Sequence, residues 1–194
     1  MPPRPPRTGT VTATGTVTAS LPSRLASNAS ARGAPRAGAV DAFAAVEVLI
    51  AAKGAPPRAR VEGWTRSLLF EARAKRARLS VLLCGDRRMR TLNARWRGKD
   101  RPTDVLSFPL FERSGSRAAA RRGEFLGDLV IDVPYAARQA RRLGHGLGRE
   151  VQILLAHGLL HLLGYDHETD DGTMFRLQRR LLHSAFGEGP DGVP

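Results

Sequence analysis

The chain of 194 residues has one cysteine, Cys84, and few aromatic residues, at 6%. A lone cysteine rules out an internal disulfide and fits a reducing cytosol. Cys84 sits in the apolar run LSVLLCG, which reads as a buried strand carrying an inert thiol. Long hydrophobic runs are missing too. No stretch approaches the ~20 apolar residues a membrane span needs. The N-terminus is basic but has no uninterrupted apolar core of the kind a secretory signal carries. Residues 42–52, AFAAVEVLIAA, come nearest and are interrupted by Glu47. A cytoplasmic protein without a membrane segment is the expectation.

Acidic residues are scarce beside basic ones. Lys plus Arg number 31 against 18 Asp plus Glu, for a net charge of +13. Such a balance points to a polyanionic partner, most often nucleic acid, and RNA is the partner expected here. Residues 1–39 hold five Arg and no acidic residue, so the tail carries +5 and the rest still carries +8. That tail, PPRPPR followed by TGTVTATGTVTAS and a Ser/Ala/Arg/Pro/Gly stretch, lacks aromatics and helical periodicity. It cannot bury enough surface to offset the entropy of ordering and reads as disordered, although TGTVTATGTVT could pair as an edge strand. Residues 40–187 read as one domain, and 188–194 as a flexible end.

Within the domain, hydrophobic periodicity marks alternating elements. AAVEVLIAA (44–52) reads as a first strand, and residues 57–77 as a helix through Val61, Trp64, Leu68, Leu69 and Ala72. Residues 79–84 form a second strand, 87–96 a short helix, and 103–108 a third strand stopped by Pro109. Residues 111–124 read as a basic Arg/Gly/Ser loop. A fourth strand at 126–133 leads into a helix from Pro134, a residue suited to a first helical turn. The helix VQILLAHGLLHLL follows, then an amphipathic helix at about 172–186. The fold class expected is α+β, a single domain with a mixed four-stranded sheet and about five helices. Gln178, on the last helix, reads as a surface residue.

The run HGLLHLLGYDH at 157–167 carries the most chemistry. His157 and His161 lie four apart, hence on one face of a helix. Gly164 favours the left-handed conformation that ends helices, so the chain can return and bring His167 to the other two. Three imidazoles with one coordination position open are the arrangement of a catalytic zinc, one ion per chain. The surrounding residues are apolar nearly all round, and buried imidazoles need a partner that a metal supplies. His145 and His183 fit no ligand spacing.

The spacing HxxxHxxGxxH resembles the metzincin protease signature, but proteases of that type have Glu after the first His as general base. Gly158 stands there instead. The fuller resemblance is to the YbeY family of bacterial endoribonucleases. It rests on LNARWRGKD (92–100), PTDVLSFP (102–109), LGDLVID (126–132), Gln139-Ala140 and HGLLHLLGYDH, in that order. The resemblance implies a zincin-like site and a zinc-dependent, single-strand-preferring ribonuclease. It also implies a role in 16S rRNA 3′-end maturation and ribosome quality control, with rRNA and ribosomal particles as partners.

On this resemblance His157, His161 and His167 are metal ligands and catalytic residues. Arg97 matches the family's functional arginine and is the guanidinium expected at the phosphoryl group, with Lys99 a lesser candidate. Trp96 stands where the family commonly has Tyr. Asp128, Glu150 and Asp166 are candidates to orient an imidazole, each with an ordinary structural role as the competing reading. The strand at 103–108 is a candidate to line the cleft. A non-catalytic, metal-stabilised ribosome assembly factor is the alternative function, and a metalloprotease a distant one.

Overall fold

The computed structural model describes residues 45–187. The tail, its TGTVTATGTVT segment and residues 188–194 lie outside them. Four strands form one mixed sheet in the order β1-β2-β4-β3: β1 (Val46–Ile50), β2 (Arg78–Cys84), β4 (Phe125–Asp132) and β3 (Val105–Pro109). β1, β2 and β4 run parallel, and β3 pairs antiparallel with β4 along the sheet's edge. The expected α+β class and mixed four-stranded sheet are therefore present.

Alternation along the strands divides the core in two. Val81, Leu83, Leu129 and Ile131 face one side, with α1 (Arg58–Glu71), α5 (Leu147–Leu162) and α6 (Thr173–Phe186) packed over them. Leu82, Cys84, Val130, Leu106 and Phe108 face the other side and meet Met89, Leu92 and Trp96 of α2 (Asp86–Arg97). Cys84 is buried, and burial pushes its thiol up to about 12. It is the inert strand thiol expected. No helix among the described residues is long and apolar enough to cross a membrane.

The structure corrects several boundaries. α1 stops at Glu71, short of residue 77, because Arg73 adopts a positive φ of 55° and turns the chain. Pro109 belongs to β3 and does not stop short of it, an arrangement open to proline on an edge strand. The expected loop at 111–124 contains a sixth helix, α3 (Arg113–Arg122). Ser114, Gly115 and Ser116 are weak helix formers, so local propensity argues against it. Burial of Ser116, Ala119 and Ala120 on one face, together with Gly123 in the left-handed C-cap, outweighs that propensity.

α5 is buried along most of its length and lies directly against β3 and β4. Gly158 is the contact point. A Cβ there would stand 2.7 Å from a Leu129 methyl and 3.2 Å from Ser107 Oγ. The Gly158 to Ala variant should lose roughly 1–3 kcal/mol, the range for overpacking a core by one methyl. Denaturant unfolding measures it, and an unchanged midpoint would show that α5 does not need the close approach at this residue.

α4 (Val133–Leu143) begins under a side-chain cap, with Asp132 Oδ1 accepting from the Tyr135 N–H at 3.1 Å. Burial pushes Asp132 up to about 7; the Tyr135 N–H opposes this and the nearby Asp86 charge adds to it. The folded chain thus holds a proton here that the unfolded chain releases near pH 4, so stability falls as pH rises from about 4 to about 7. Asp132→Asn keeps the cap without the charge. Its melting temperature should exceed the wild type's at pH 8, and the gap should shrink at pH 5.

Candidate metal centre

His157 and His161 project from one face of α5, as their spacing requires, and both are buried. Each ring is held through Nδ1. His157 Nδ1 meets Gln178 Oε1 at 2.9 Å, and His161 Nδ1 meets the Tyr165 carbonyl at 3.0 Å. Both partners are acceptors, so each Nδ1 donates and each Nε2 presents a lone pair. The two Nε2 atoms lie 3.1 Å apart. Facing lone pairs at that distance repel unless a cation lies between them. Two nitrogens bound tetrahedrally to zinc at ~2.0–2.1 Å would stand about 3.3 Å apart.

Gly164 ends the helix with φ 87°, and a Cβ there would lie 2.6 Å from the Arg113 carbonyl oxygen. Beyond this turn the chain carries His167 back, completing a set whose ligand atoms all lie within 4.8 Å of one another. His167 Nε2 is buried and has no hydrogen-bond partner among the described residues. Burial pushes His157 down to about 4 and His161 down to about 3, with the neighbouring rings adding to the effect at His161. Both imidazoles are neutral at physiological pH, the form that coordinates a metal. The donor set, its tautomers and its orphaned nitrogen fit a divalent ion such as zinc.

The helix α3 supports this turn from outside. Arg113 pairs with the Asp166 carboxylate and donates to Thr169 Oγ1 at 3.0 Å. The Arg117 guanidinium lies 5.4 Å from the centre of the Tyr165 ring. The basic segment thus braces the loop that carries His167. A cavity of about 240 Å³ opens beside it, lined in part by Pro109, Arg113, His161, Tyr165 and Glu168.

Arg97 ends α2 on the opposite face of the sheet, yet it reaches the same end of the fold. Its charge lowers the His161 pKa, and the Glu168 charge acts on Arg97 in turn. Burial holds the guanidinium below its ordinary value, and Glu168 works against this. Trp96 packs edge-on against Phe108 of β3, with ring centres 6.0 Å apart, and pins the end of α2 beside the edge strand. Lys99 follows in the turn after Gly98, half-buried.

Each of the three candidate carboxylates has a partner other than His157, His161 and His167. Asp166 goes to Arg113 and accepts from the Glu168 N–H at 3.1 Å, a turn aspartate. Asp128 accepts from Ser80 in the sheet. Glu150 is buried against His145 at 2.5 Å and accepts from Gln139 at 2.9 Å, a network at the α4–α5 junction. The residue that reaches an imidazole is Gln178, read from the sequence as surface. Its position was legible: it lies four after buried Met174 and three and four before buried Leu181 and Leu182, on the inward face of α6.

With the geometry in place, comparison with known proteins decides the lineage. The family described as Endoribonuclease YbeY matches residues 56–185. The chain belongs to the YbeY family. It is 50% identical over 131 residues to an Endoribonuclease YbeY of Anaeromyxobacter sp. (strain Fw109-5), covering 66% of this chain and 65% of that protein. The corresponding protein of Sulfurihydrogenibium sp. (strain YO3AOP1) is 46% identical over 121 residues, or 61% of this chain and 76% of that one. That of Anaeromyxobacter dehalogenans (strain 2CP-C) is 49% identical over 115 residues, and the chain spans only 56% of its length. A solution structure of a Thermotoga maritima protein matches with a TM-score of 0.53 at 26% identity, covering 77% of this chain and 99% of that one.

Gln178→Leu removes the acceptor of His157 Nδ1 while keeping bulk. Zinc affinity, measured by competition with a chromogenic chelator, should fall about 10- to 100-fold, the usual cost of losing a partner behind a metal-binding imidazole. An unchanged affinity would mean that Gln178 does not orient the ring.

Proposed function

We propose that this protein is a zinc-dependent endoribonuclease that hydrolyses phosphodiester bonds in single-stranded RNA. We further propose that it acts in the cytoplasm, in 16S rRNA 3′-end maturation and ribosome quality control, through a catalytic unit at residues 40–187. The observation that carries the reading is the convergence of three imidazoles at the end of α5, two with their Nε2 atoms 3.1 Å apart, within the electrostatic reach of Arg97. Membership of a family described as endoribonucleases supports the substrate class, and so does the basic charge.

In this reading His157, His161 and His167 hold the ion; burial keeps the first two neutral, and Gln178 and the Tyr165 carbonyl fix those two rings. When bound, zinc supplies an acidified water and a Lewis acid for a phosphoryl oxygen. Arg97 takes the non-bridging phosphoryl oxygens and stabilises the negative charge that grows on them. Its partial burial suits this task, because a guanidinium in a less solvated setting attracts an anion more strongly. β3, the edge strand beside α5, forms the wall along which the RNA lies.

A protease reading fails at Gly158. A Cβ at position 158 would press on Leu129 and Ser107 of the sheet, so there is no room for a general base there. A metal-stabilised assembly factor without catalysis predicts that metal loss unfolds the protein and ends ribosome association together.

His161→Ala should lose the bound zinc, about one ion per chain in the wild type, and abolish cleavage of single-stranded RNA while RNA binding persists. Arg97→Ala should keep its zinc and lose about 10²- to 10³-fold in cleavage rate, the scale of removing one transition-state charge partner. Elemental analysis and single-turnover cleavage of an unstructured oligonucleotide check both. Full cleavage by the His161 variant from a nuclease-free preparation would sink the proposal.

A further inference from the structure

Phe175 stands one residue past Met174 at the start of α6, and the fold buries only half of it: the residue is 50% exposed. It does have neighbours. Its ring centre lies 5.3 Å from that of His167, at an interplanar angle of 34°, and 6.4 Å from that of His157, at 42°. Of the exposed large hydrophobic residues among those described (Ile50, Phe70, Leu110, Leu143 and Phe175), it is the one in ring contact with the histidine cluster.

The surrounding contacts hold it there. Asp170 accepts from the Gly172 and Met174 N–H groups at 2.8 Å each, which fixes the start of α6. Met174 is fully buried and anchors the first turn. Arg176 bends back to the Asp171 carbonyl and to Thr173 Oγ1, so its cation is engaged away from the ring. Three residues after Phe175, Gln178 reaches His157 from the same side of the helix. Phe175 is thus a preorganised, half-wet aromatic surface at the rim of the three-histidine site.

Resting on the ribonuclease reading, we propose that Phe175 is a stacking subsite for a nucleobase of the nucleotide adjoining the scissile phosphate. Single-stranded RNA exposes its bases, and proteins that take it without sequence preference stack them on aromatic side chains. Because Phe175 adjoins two of the three histidines, a nucleotide whose phosphate lies at them can lay a flanking base over its ring. Every base has a π face, so such a subsite selects unpaired nucleotides over duplex and is indifferent to base identity. It accounts for a single-strand preference by a contact that a stacked, paired base cannot make.

The competing explanation is that Phe175 only shields the histidines from water, and leucine would do that equally well. The test compares wild type, Phe175→Leu and Phe175→Trp, all zinc-loaded. Each is titrated at low temperature with a fluorescent single-stranded RNA oligonucleotide and with an abasic sugar-phosphate oligomer of the same length. Stacking predicts that Leu weakens binding of the base-bearing RNA roughly 5- to 150-fold, the effect of about 1–3 kcal/mol per stacked base. Trp should bind at least as well as wild type, and the abasic oligomer should bind all three equally. Zinc affinity of the Leu variant, measured alongside, should match wild type. A Leu variant that binds RNA like wild type, or that loses equal affinity for both oligomers, overturns the inference. Should the Leu variant misfold, quenching of 2-aminopurine in the RNA by wild-type protein decides instead: quenching supports stacking, and unchanged emission on binding overturns it. Wild-type cleavage is scored separately. Cleavage without the base-dependent loss removes the Phe175 subsite alone, whereas the loss without cleavage removes the ribonuclease reading and leaves the subsite.

Discussion

The seat of α5 against the sheet is the contact on which the site depends. Gly158 lets the helix backbone approach β3 and β4 until the position of its missing Cβ is 2.7 Å from Leu129. With the helix seated there, His157 and His161 are placed without further choice, one turn apart and facing α6. A helix held one side chain farther from the sheet would move both rings relative to Arg97, which sits on an element packed against the opposite face. The same glycine stands where a metzincin protease carries its general base, and its close seat fixes where the helix holds its two histidines.

Burial then does the electrostatic work. Two imidazoles inside an apolar helix lose hydration, so their protonated forms are disfavoured and both stay neutral. Neutral rings with Nδ1 already donating turn two lone pairs toward each other, and His167 adds a nitrogen with no partner among the described residues. Arrangements of this kind are unfavourable in a protein interior unless something satisfies them. The same burial that stabilises the fold through Leu154, Leu155 and Leu159 prepares the nitrogens for a cation.

Much of this was legible in the residues because it followed from period. The strands alternate, α5 reads as apolar all round, and the spacing of His157, His161 and Gly164 carries a three-dimensional instruction. What escaped was decided by tertiary contact. α3 is a poor helix former that holds its shape because Ala119 and Ala120 dock on the core and Arg113 grips the turn of Gly164 and Asp166. Glu150 has the right spacing to sit behind His157, but its carboxylate turns to His145, which lies outside the regular pattern of α5 and offered no period to read. Gln178 shows the opposite error. Its polarity suggested solvent, while its place in the Met174–Leu182 stripe pointed inward.

The bracing by α3 has a consequence for how the third ligand behaves. His157 and His161 are fixed by a buried helix, whereas His167 is held by a turn whose outer support is charged: Arg113 on Asp166 and Arg117 over Tyr165. The Arg113 guanidinium is exposed while the Asp166 carboxylate is largely buried, so salt screens this pair only in part. The candidate ligand set is therefore asymmetric, with two nitrogens on a buried helix and one on a braced turn. The basic helix thus bears on the candidate metal site through the turn that carries His167, which Arg113 and Arg117 brace from outside.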